Sequence, residues 1–79
     1  MVVTGINNIP LSELKSGKGG FVSHFTNQLI ASKLMSMGVL PGSRLEIIRK
    51  APFGGGCYVK ADKHYLALRK QEAACIIMR

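Results

Sequence analysis

The sequence predicts a small, mainly β domain in which five short strands close into a barrel and one α-helix lies in the first long connection. Segments rich in β-branched and aromatic residues are separated by Gly, Pro and Asp, as is typical of strands joined by turns. Between the first two segments, one stretch has the apolar spacing of a helix. A polar stretch suited to one helical turn precedes the last segment. This order is that of an SH3-like barrel, a closed sheet that removes exposed edges and suits a small core.

Length and composition indicate a single domain that spans residues 1–79. A chain of 79 residues buries only about 60% of its unfolded surface, so its core is small. Hydrophobic residues make up 47% of the sequence, which argues against disorder. We find no internal repeat in the sequence and no sign of a domain boundary.

The first segments lead into the sheet. Residues 12–15 suit one short helical turn, and residues 18–20 predict a loose lead-in. Residues 21–25 are aromatic and β-branched and predict the first strand. Strand alternation places Val22 and His24 together on one face of this strand.

A helix of about three turns follows the first strand. Thr26 or Asn27 can cap its first turn. With Thr26 as the cap, Phe25 and Ile30 would form a hydrophobic staple. A helix this short depends mainly on packing of its apolar stripe. The stripe has i, i+4 and i+7 spacing and comprises Ile30, Leu34 and Met37, with Leu29 beside it.

Residues 35–44 join this helix to the second strand. Gly38 lies where a helix C-cap needs positive φ, which glycine adopts without steric cost. Pro41 cannot continue a helix, and Pro41-Gly42 suits the two central positions of a tight turn. Within this stretch the chain is therefore expected to end a helix, turn and begin a strand.

Four further strands complete the predicted sheet. Residues 51–56 form a loop, because a proline followed by three glycines rarely enters a sheet. Residues 62–63 suit a two-residue hairpin turn, and residues 69–74 suit one helical turn. In the second strand, alternation places Arg49 on the face of Leu45 and Ile47. The strands are 44–50, 57–61, 64–68 and 75–78.

The net charge of +7 arises from eleven Lys and Arg against four Asp and Glu. Such a charge favours partners of negative potential, including nucleic acid or a membrane surface. The basic residues are spread along the chain, which favours a solvated surface instead. No apolar run could span a bilayer, and the first residues lack signal-peptide features. We therefore expect a cytoplasmic protein that does not insert into membranes.

The sequence does not predict a metal site within one chain. The candidate ligands are His24, His64, Cys57 and Cys75. If residues 62–63 form a two-residue turn, Cys57 and His64 lie roughly 13 Å apart along one face, too far to bind one ion. Buried free thiols are the simpler interpretation of the cysteines. A site shared between molecules stays open.

Catalysis is not predicted either. Four acids and two histidines give no paired-carboxylate or nucleophile–base spacing, so we expect no enzyme and no cofactor. The alternative function is an SH3-like RNA-binding module, because the charge and the aromatic residues are compatible with RNA. Packing in the core and turns explains the aromatics as well, and we expect no nucleic-acid partner. These aromatics are Phe21, Phe53, Tyr58 and Tyr65.

Four blocks of sequence carry a family resemblance. They are Lys-Leu-Met at 33–35, Met-Gly-Val-Leu-Pro-Gly at 37–42, Arg-Lys-Ala-Pro-Phe-Gly at 49–54 and Tyr-Leu-Ala-Leu-Arg-Lys-Gln-Glu-Ala-Ala at 65–74. Each block alone is a weak signal, but their order and spacing strongly resemble the ferrous iron transport protein A (FeoA) family over about residues 9–79. The sequence departs from the family at Lys33, where arginine is usual, and at residues 62–63, where glycine is frequent. Neither departure affects the expected fold.

The resemblance implies a small cytosolic accessory or regulatory protein of bacterial ferrous iron uptake. It implies a FeoB-like membrane GTPase transporter as the partner, and it leaves homo-oligomerisation and weak transition-metal binding open. SH3-like domains of iron-dependent repressors are similar as well. Those domains follow a DNA-binding helix-turn-helix and dimerisation helices, for which this chain has no room.

A partner-binding surface is predicted from two loops. In SH3-like folds, partners often dock between the first long connection and the loop after the second strand. Leu40 and Phe53 are large apolar residues in these loops, and their exposure would indicate an interface. Arg49 and Lys50 would add a basic rim that speeds encounter with an acidic partner. The alternative is that Leu40 and Phe53 fold inward as plugs at the barrel ends.

Overall fold

The computed structural model describes residues 8–79. Residues 1–7 lie outside this range. The expectation that the chain has no signal peptide rests partly on these residues. Two short 3-10 turns cover Leu11–Glu13 and Pro52–Gly54. The strands and helices, in chain order, are β1 (Ile9–Pro10), β2 (Gly19–Phe25), α1 (Gln28–Ser36), β3 (Arg44–Lys50), β4 (Cys57–Ala61), β5 (His64–Leu68), α2 (Lys70–Ala74) and β6 (Ile76–Met78).

The mainly β fold with a helix in the first long connection is confirmed. All five predicted strands are present, and β1 adds a sixth within the described residues. The strands form one antiparallel sheet in the order β1-β6-β2-β3-β4-β5. Within residues 8–79 no ladder joins β1 to β5, so the sheet keeps two edges, contrary to the expectation that closure removes them. The predicted hairpin register is also correct, with Ala61 opposite His64 and Cys57 opposite Leu68.

Strand β2 serves both halves of the sheet. Residues 19–21 pair with β3, whereas Val22, His24 and Phe25 pair with β6. The register shifts between Val22 and His24, so Ser23 is an extra residue in the ladder. As a result Val22 is buried and His24 is exposed. The prediction that these two side chains share a face is therefore wrong.

The predicted loose lead-in is also wrong, because Gly19 and Gly20 are the first residues of β2. A Cβ atom at Gly19 would lie 2.6 Å from the carbonyl oxygen of Leu45, and one at Gly20 would lie 2.8 Å from that of Arg79. Only glycine permits such close approach of neighbouring backbones. The two glycines therefore let β2 fit tightly against β3 on one side and the residue after β6 on the other.

A second bulge reorients the end of β3. The register shifts between Ile47 and Arg49, and Arg49 pairs with Tyr58. Leu45 and Ile47 are fully buried, whereas Arg49 is exposed. The alternation that placed Arg49 on the same face as these two residues fails at the bulge, because the extra residue reverses the side-chain direction.

Asn27 is the N-cap of helix α1, and its side-chain Oδ1 accepts a hydrogen bond of 3.0 Å from the backbone N–H of Ile30. Thr26 is therefore not the cap, and the staple that depended on it does not apply. The helix ends as predicted at Gly38, with φ at 92°. The backbone N–H groups of Gly38 and Val39 donate to the carbonyls of Met35 and Leu34, which is a Schellman motif.

The core fills the space between the curved sheet and α1. Leu34 at the centre of the predicted stripe is fully buried, Ile30 and Met37 are partly buried, and Leu29 is 85% exposed. The fully buried large side chains are Leu11, Leu34, Leu45, Ile47, Ile76, Met78, Val22, Val39 and Val59.

One ion pair joins the two helices. Glu72 of α2 is buried, and its carboxylate accepts hydrogen bonds from the Lys33 ammonium at 2.7 Å and from the Arg69 backbone at 2.8 Å. The Lys33 hydrogen bond is the main cause of a lowered pKa for Glu72, although burial acts in the opposite direction. The carboxylate therefore fixes the start of α2 and holds it against α1.

The helix stripe can be tested by two substitutions on α1. Leu34→Ala should lower the free energy of unfolding by about 2–5 kcal/mol, since it removes a fully buried side chain. The matched control Leu29→Ala should change it by no more than about 0.5 kcal/mol. Urea denaturation measures both, and equal effects of the two substitutions would contradict the packing described here.

Glu72 should make stability depend on pH. Because its pKa is lower in the folded state, its stabilisation is complete above the ordinary glutamate pKa of about 4.3 and is lost as the pH falls through the folded value. Glu72→Gln should destabilise the protein at neutral pH and flatten this acid-side loss, as measured by urea midpoints at several pH values. Glu13→Gln is the control, because Glu13 is exposed and makes no side-chain hydrogen bond or ion pair within residues 8–79. An unchanged pH profile in Glu72→Gln would rule out this role.

Candidate functional site

The turn before β3 holds Leu40 in an exposed position. Pro41-Gly42 forms the predicted turn, with φ of Gly42 at 89° and a hydrogen bond from the Ser43 backbone to the Leu40 carbonyl. The Leu40 backbone N–H in turn donates to the Ser43 hydroxyl at 3.0 Å. The side chain of Leu40 is 48% exposed. A fixed backbone thus presents a large apolar side chain to solvent.

The loop after β3 presents Phe53 in an unusual conformation. Its φ and ψ are 62° and 26°, in the left-handed region that non-glycine residues rarely occupy. Its ring is fully exposed. Such a conformation costs about 1–2 kcal/mol, and no burial of the ring offsets it. Strain combined with exposure of an aromatic ring points to a role outside folding.

Gly56 anchors this loop to the sheet. A Cβ atom there would lie 2.4 Å from the Leu68 carbonyl oxygen, so only glycine allows the two backbones to lie this close. The Ala51 backbone N–H donates to the Gly56 carbonyl at 2.9 Å and closes the loop at its base. Phe53 is therefore held at the tip of a loop with a fixed base.

Leu40 and Phe53 are both exposed, which is contrary to the alternative that they fold inward as plugs. Their loops lie at opposite ends of β3, however. Leu40 precedes the first residue of β3 and Phe53 follows its last, and six residue steps of strand extend over about 20 Å. The single groove between the two loops would therefore have to extend along β3, and it stays a prediction.

The two predicted rim cations differ in their surroundings. The Lys50 ammonium donates to the carbonyls of Ser12 and Leu14 at 2.7 and 2.9 Å, so it ties the segment after β1 to the end of β3. Arg49 is exposed and lines an open groove of about 600 Å³ with Pro52 and Tyr58. Arg49 is thus available to a partner beside the Phe53 loop, whereas Lys50 has a structural role.

The candidate metal ligands do not converge. Cys57 and Cys75 are buried and free, and burial raises the pKa of both thiols, an effect that Lys50 partly offsets at Cys57. His64 lies at the opposite end of the β4–β5 hairpin from Cys57, and its Nε2 lies 3.3 Å from the Met37 carbonyl. Across residues 8–79, no group of three or more His, Cys, Asp or Glu side chains is placed to hold a metal ion.

Neither α1 nor α2 has the length and apolar character needed to cross a bilayer, and the same holds for every helix in the described part of the chain.

The sequence matches the FeoA domain over residues 9–79. The chain belongs to the FeoA family. Among solved structures, a FeoA-like protein of Clostridium acetobutylicum is 28% identical, with 92% of this chain and 86% of that chain covered and a TM-score of 0.84. FeoA of Stenotrophomonas maltophilia, a prokaryotic SH3 domain protein solved with zinc, is also 28% identical, with 90% and 89% covered and a TM-score of 0.75. The SH3-like fold predicted from the order of elements is thereby confirmed.

A manganese-dependent transcriptional repressor has the same fold at 22% identity, with a TM-score of 0.80. The alignment covers 87% of this chain but only 39% of the repressor. At this identity the likeness concerns the fold alone.

Sequence reasoning missed several surface features of this FeoA-family protein. It attributed four aromatic residues to core and turn packing, yet all four are exposed by 42% or more. Tyr58 and Tyr65 stack on each other, with ring centroids 5.7 Å apart and planes at 6°. The predicted hairpin register placed Tyr58 and Tyr65 as diagonal neighbours on one face, which was the available signal for this stack.

Burial of the thiols predicts slow modification of the native FeoA-family protein. At neutral pH, Cys57 and Cys75 should react with a disulfide reagent at least about tenfold more slowly than an exposed thiol, because burial limits access and keeps them protonated. The rate of colour release measures this, and both should react at once in denaturant. Ser32→Cys provides the exposed control on α1. Fast labelling of the native protein without that substitution would contradict the buried placement.

Proposed function

We propose that this protein acts in bacterial ferrous iron uptake by binding the cytoplasmic part of a FeoB-like membrane GTPase transporter. The observation that carries the proposal is the FeoA domain across residues 9–79, which makes the chain a small protein of the ferrous iron transport family. The Stenotrophomonas maltophilia relative has itself been proposed as an activating factor for bacterial ferrous iron transport. Our proposal extends this to a direct contact with the transporter.

The Phe53 loop is the proposed anchor of this contact. Interfaces draw most of their binding energy from a few aromatic, arginine and large apolar side chains that enter pockets on the partner. Phe53 is fully exposed on a loop with a fixed base, and Arg49 borders the adjoining groove. A preorganised loop loses little conformational entropy on binding, which favours affinity. Because the free loop already carries the strain at Phe53, binding in the same conformation adds no further strain.

Leu40 provides a second contact in this proposal. Since it lies at the other end of β3, a partner must span about 20 Å to reach both residues. A folded transporter domain is large enough to do so, whereas a short peptide bound at one loop is not. The sheet between the two loops would then set their separation for the partner.

Substitution of Phe53 should separate binding from folding. Phe53→Asn should leave the melting temperature unchanged or slightly higher, because asparagine tolerates the left-handed conformation and no buried contact is lost. Binding to the purified transporter in detergent should weaken at least about tenfold, as expected when a central aromatic is removed. Isothermal titration calorimetry and thermal unfolding measure the two quantities.

The control for this experiment is Leu29→Ala, which removes an exposed large apolar side chain on α1, outside β3 and its two loops. It should leave the affinity within about twofold, since residues outside the centre of an interface contribute little. Equal affinities of Phe53→Asn and the unsubstituted protein would exclude the Phe53 loop as the anchor.

In cells, deletion of the gene should reduce ferrous iron uptake, and failure of deletion to change uptake would argue against the proposed function as a whole.

A further inference from the structure

The two edges of the sheet are protected very differently. Edge strand β1 has only two residues, one of which is Pro10. Edge strand β5 has five residues, His-Tyr-Leu-Ala-Leu, and pairs with β4 without a bulge. It contains no proline and no Lys, Arg, Asp or Glu. Short length, proline, bulges and edge charges are the usual means by which proteins block pairing with another chain. Strand β5 has none of them.

The hairpin register identifies which backbone groups of β5 face outward. Ala61 and His64 flank the two-residue turn, so they form a hydrogen-bonded pair, and pairs alternate from there. Leu66 therefore points its N–H and C=O toward β4, whereas those of Tyr65 and Ala67 point away from it. Within residues 8–79, no loop, cap or turn forms a backbone hydrogen bond with Tyr65 or Ala67. Their four polar groups form an open hydrogen-bonding edge.

The charges around this edge are mainly positive. Lys63 directly precedes β5, and Arg69 and Lys70 directly follow it. Lys60 lies opposite Tyr65 on β4. All four cations are exposed, and Asp62 in the turn is the one acid among residues 57–70. A strand added to β5 would therefore be favoured by negative charge along its length.

The same charges argue against a second copy of this chain as the added strand. Antiparallel pairing of two β5 strands would bring Lys63 of each copy close to Arg69 of the other. Each copy also carries a net charge of +7. Like charges placed opposite each other destabilise such a pair.

The side chains next to the edge suit an extended peptide. Tyr65 and Ala67 project from β5 to the exposed face, where Tyr65 stacks on Tyr58 of β4. In an added strand, alternate side chains would lie beside Tyr65 and Ala67 on this face. The stacked rings provide a flat apolar surface for them, as in other cases where peptides extend a sheet.

We propose that β5 is a docking site for an extended acidic segment of a partner protein. This segment would pair with β5 and extend the six-stranded sheet of residues 8–79 by one strand. Backbone hydrogen bonds to Tyr65 and Ala67 give the affinity. The flanking cations select acidic sequences. The site does not use Phe53 or Leu40, although Tyr58 and Ala67 also line the groove beside Arg49. The experiments below contain no transporter, so their outcome is separate from that of the transporter contact proposed above.

A synthetic peptide that alternates glutamate with valine is the probe. We expect saturable binding by fluorescence anisotropy that weakens as salt is raised, because the flanking charges are exposed. In hydrogen-exchange NMR, the amides of Tyr65 and Ala67 should exchange quickly in the free protein and slowly with peptide. The Leu66 amide should be protected in both states, since it bonds to β4. A peptide with lysine in place of glutamate should bind at least about tenfold more weakly.

Strand addition itself is tested by removing backbone hydrogen-bond donors, first from β5 and then from the peptide. Ala67→Pro removes an outward N–H, which edge strands tolerate, and should weaken the glutamate peptide by roughly fivefold to tenfold without unfolding the protein. Ala67→Thr keeps this N–H and should bind normally. A glutamate peptide methylated on alternate backbone nitrogens, on the edge that would pair with β5, should also bind weakly.

Three results would overturn the proposal. The first is binding that is insensitive to both Ala67→Pro and backbone methylation, because it would reflect charge alone. The second is protection of Tyr65 and Ala67 that grows with protein concentration without peptide, because the occupant would then be a second copy. The third is tighter binding of a single-stranded oligonucleotide than of the peptide at the same edge.

Discussion

The division of β2 between two partners is the constraint on which the rest of the structure depends. Its first three residues lie in register with β3, whereas Val22, His24 and Phe25 lie in register with β6, with a bulge at Ser23 just after the partner changes. This arrangement curves one antiparallel sheet around the core and leaves a space that α1 covers with Leu34. The close approach at Gly19 and Gly20 makes the division possible, because side chains there would collide with the neighbouring backbones. Every other strand takes its place from β2 outward.

Local signals in the sequence were sufficient for most of the secondary structure. Strands β3, β4 and β5 have the predicted bounds, and Gly38 ends α1 as expected, because turn residues and alternation act within a few positions. The features that were missed all require partners far away in the chain. The bulges in β2 and β3 arise from pairing with β6 and β4, and the two glycines of β2 are explained only by Leu45 and Arg79.

The candidate site was predictable in its residues but not in its arrangement. Large apolar residues in loops indicated Leu40 and Phe53, and both are exposed. Their loops lie at opposite ends of β3, and this placement follows from a strand that was itself predicted from the sequence. The role of Lys50 could not be predicted from its neighbours in the sequence. Its adjacency to Phe53 suggested a free cation, yet its ammonium binds two carbonyls near residue 13, a contact that no local pattern indicates.

The position of β6 between β1 and β2 has a consequence for how the chain is made. The last residues to leave the ribosome among those described fill a central place in the sheet, and the Phe21 backbone bonds in both directions to Arg79. The β3–β4–β5 segment can pair locally as it emerges, but β1 and the second half of β2 cannot form their ladders with β6 until residues 76–78 are available. Pairing across such a large sequence separation is slow, so the β1–β6 and β2–β6 ladders are expected to form after the local β3–β4–β5 ladders.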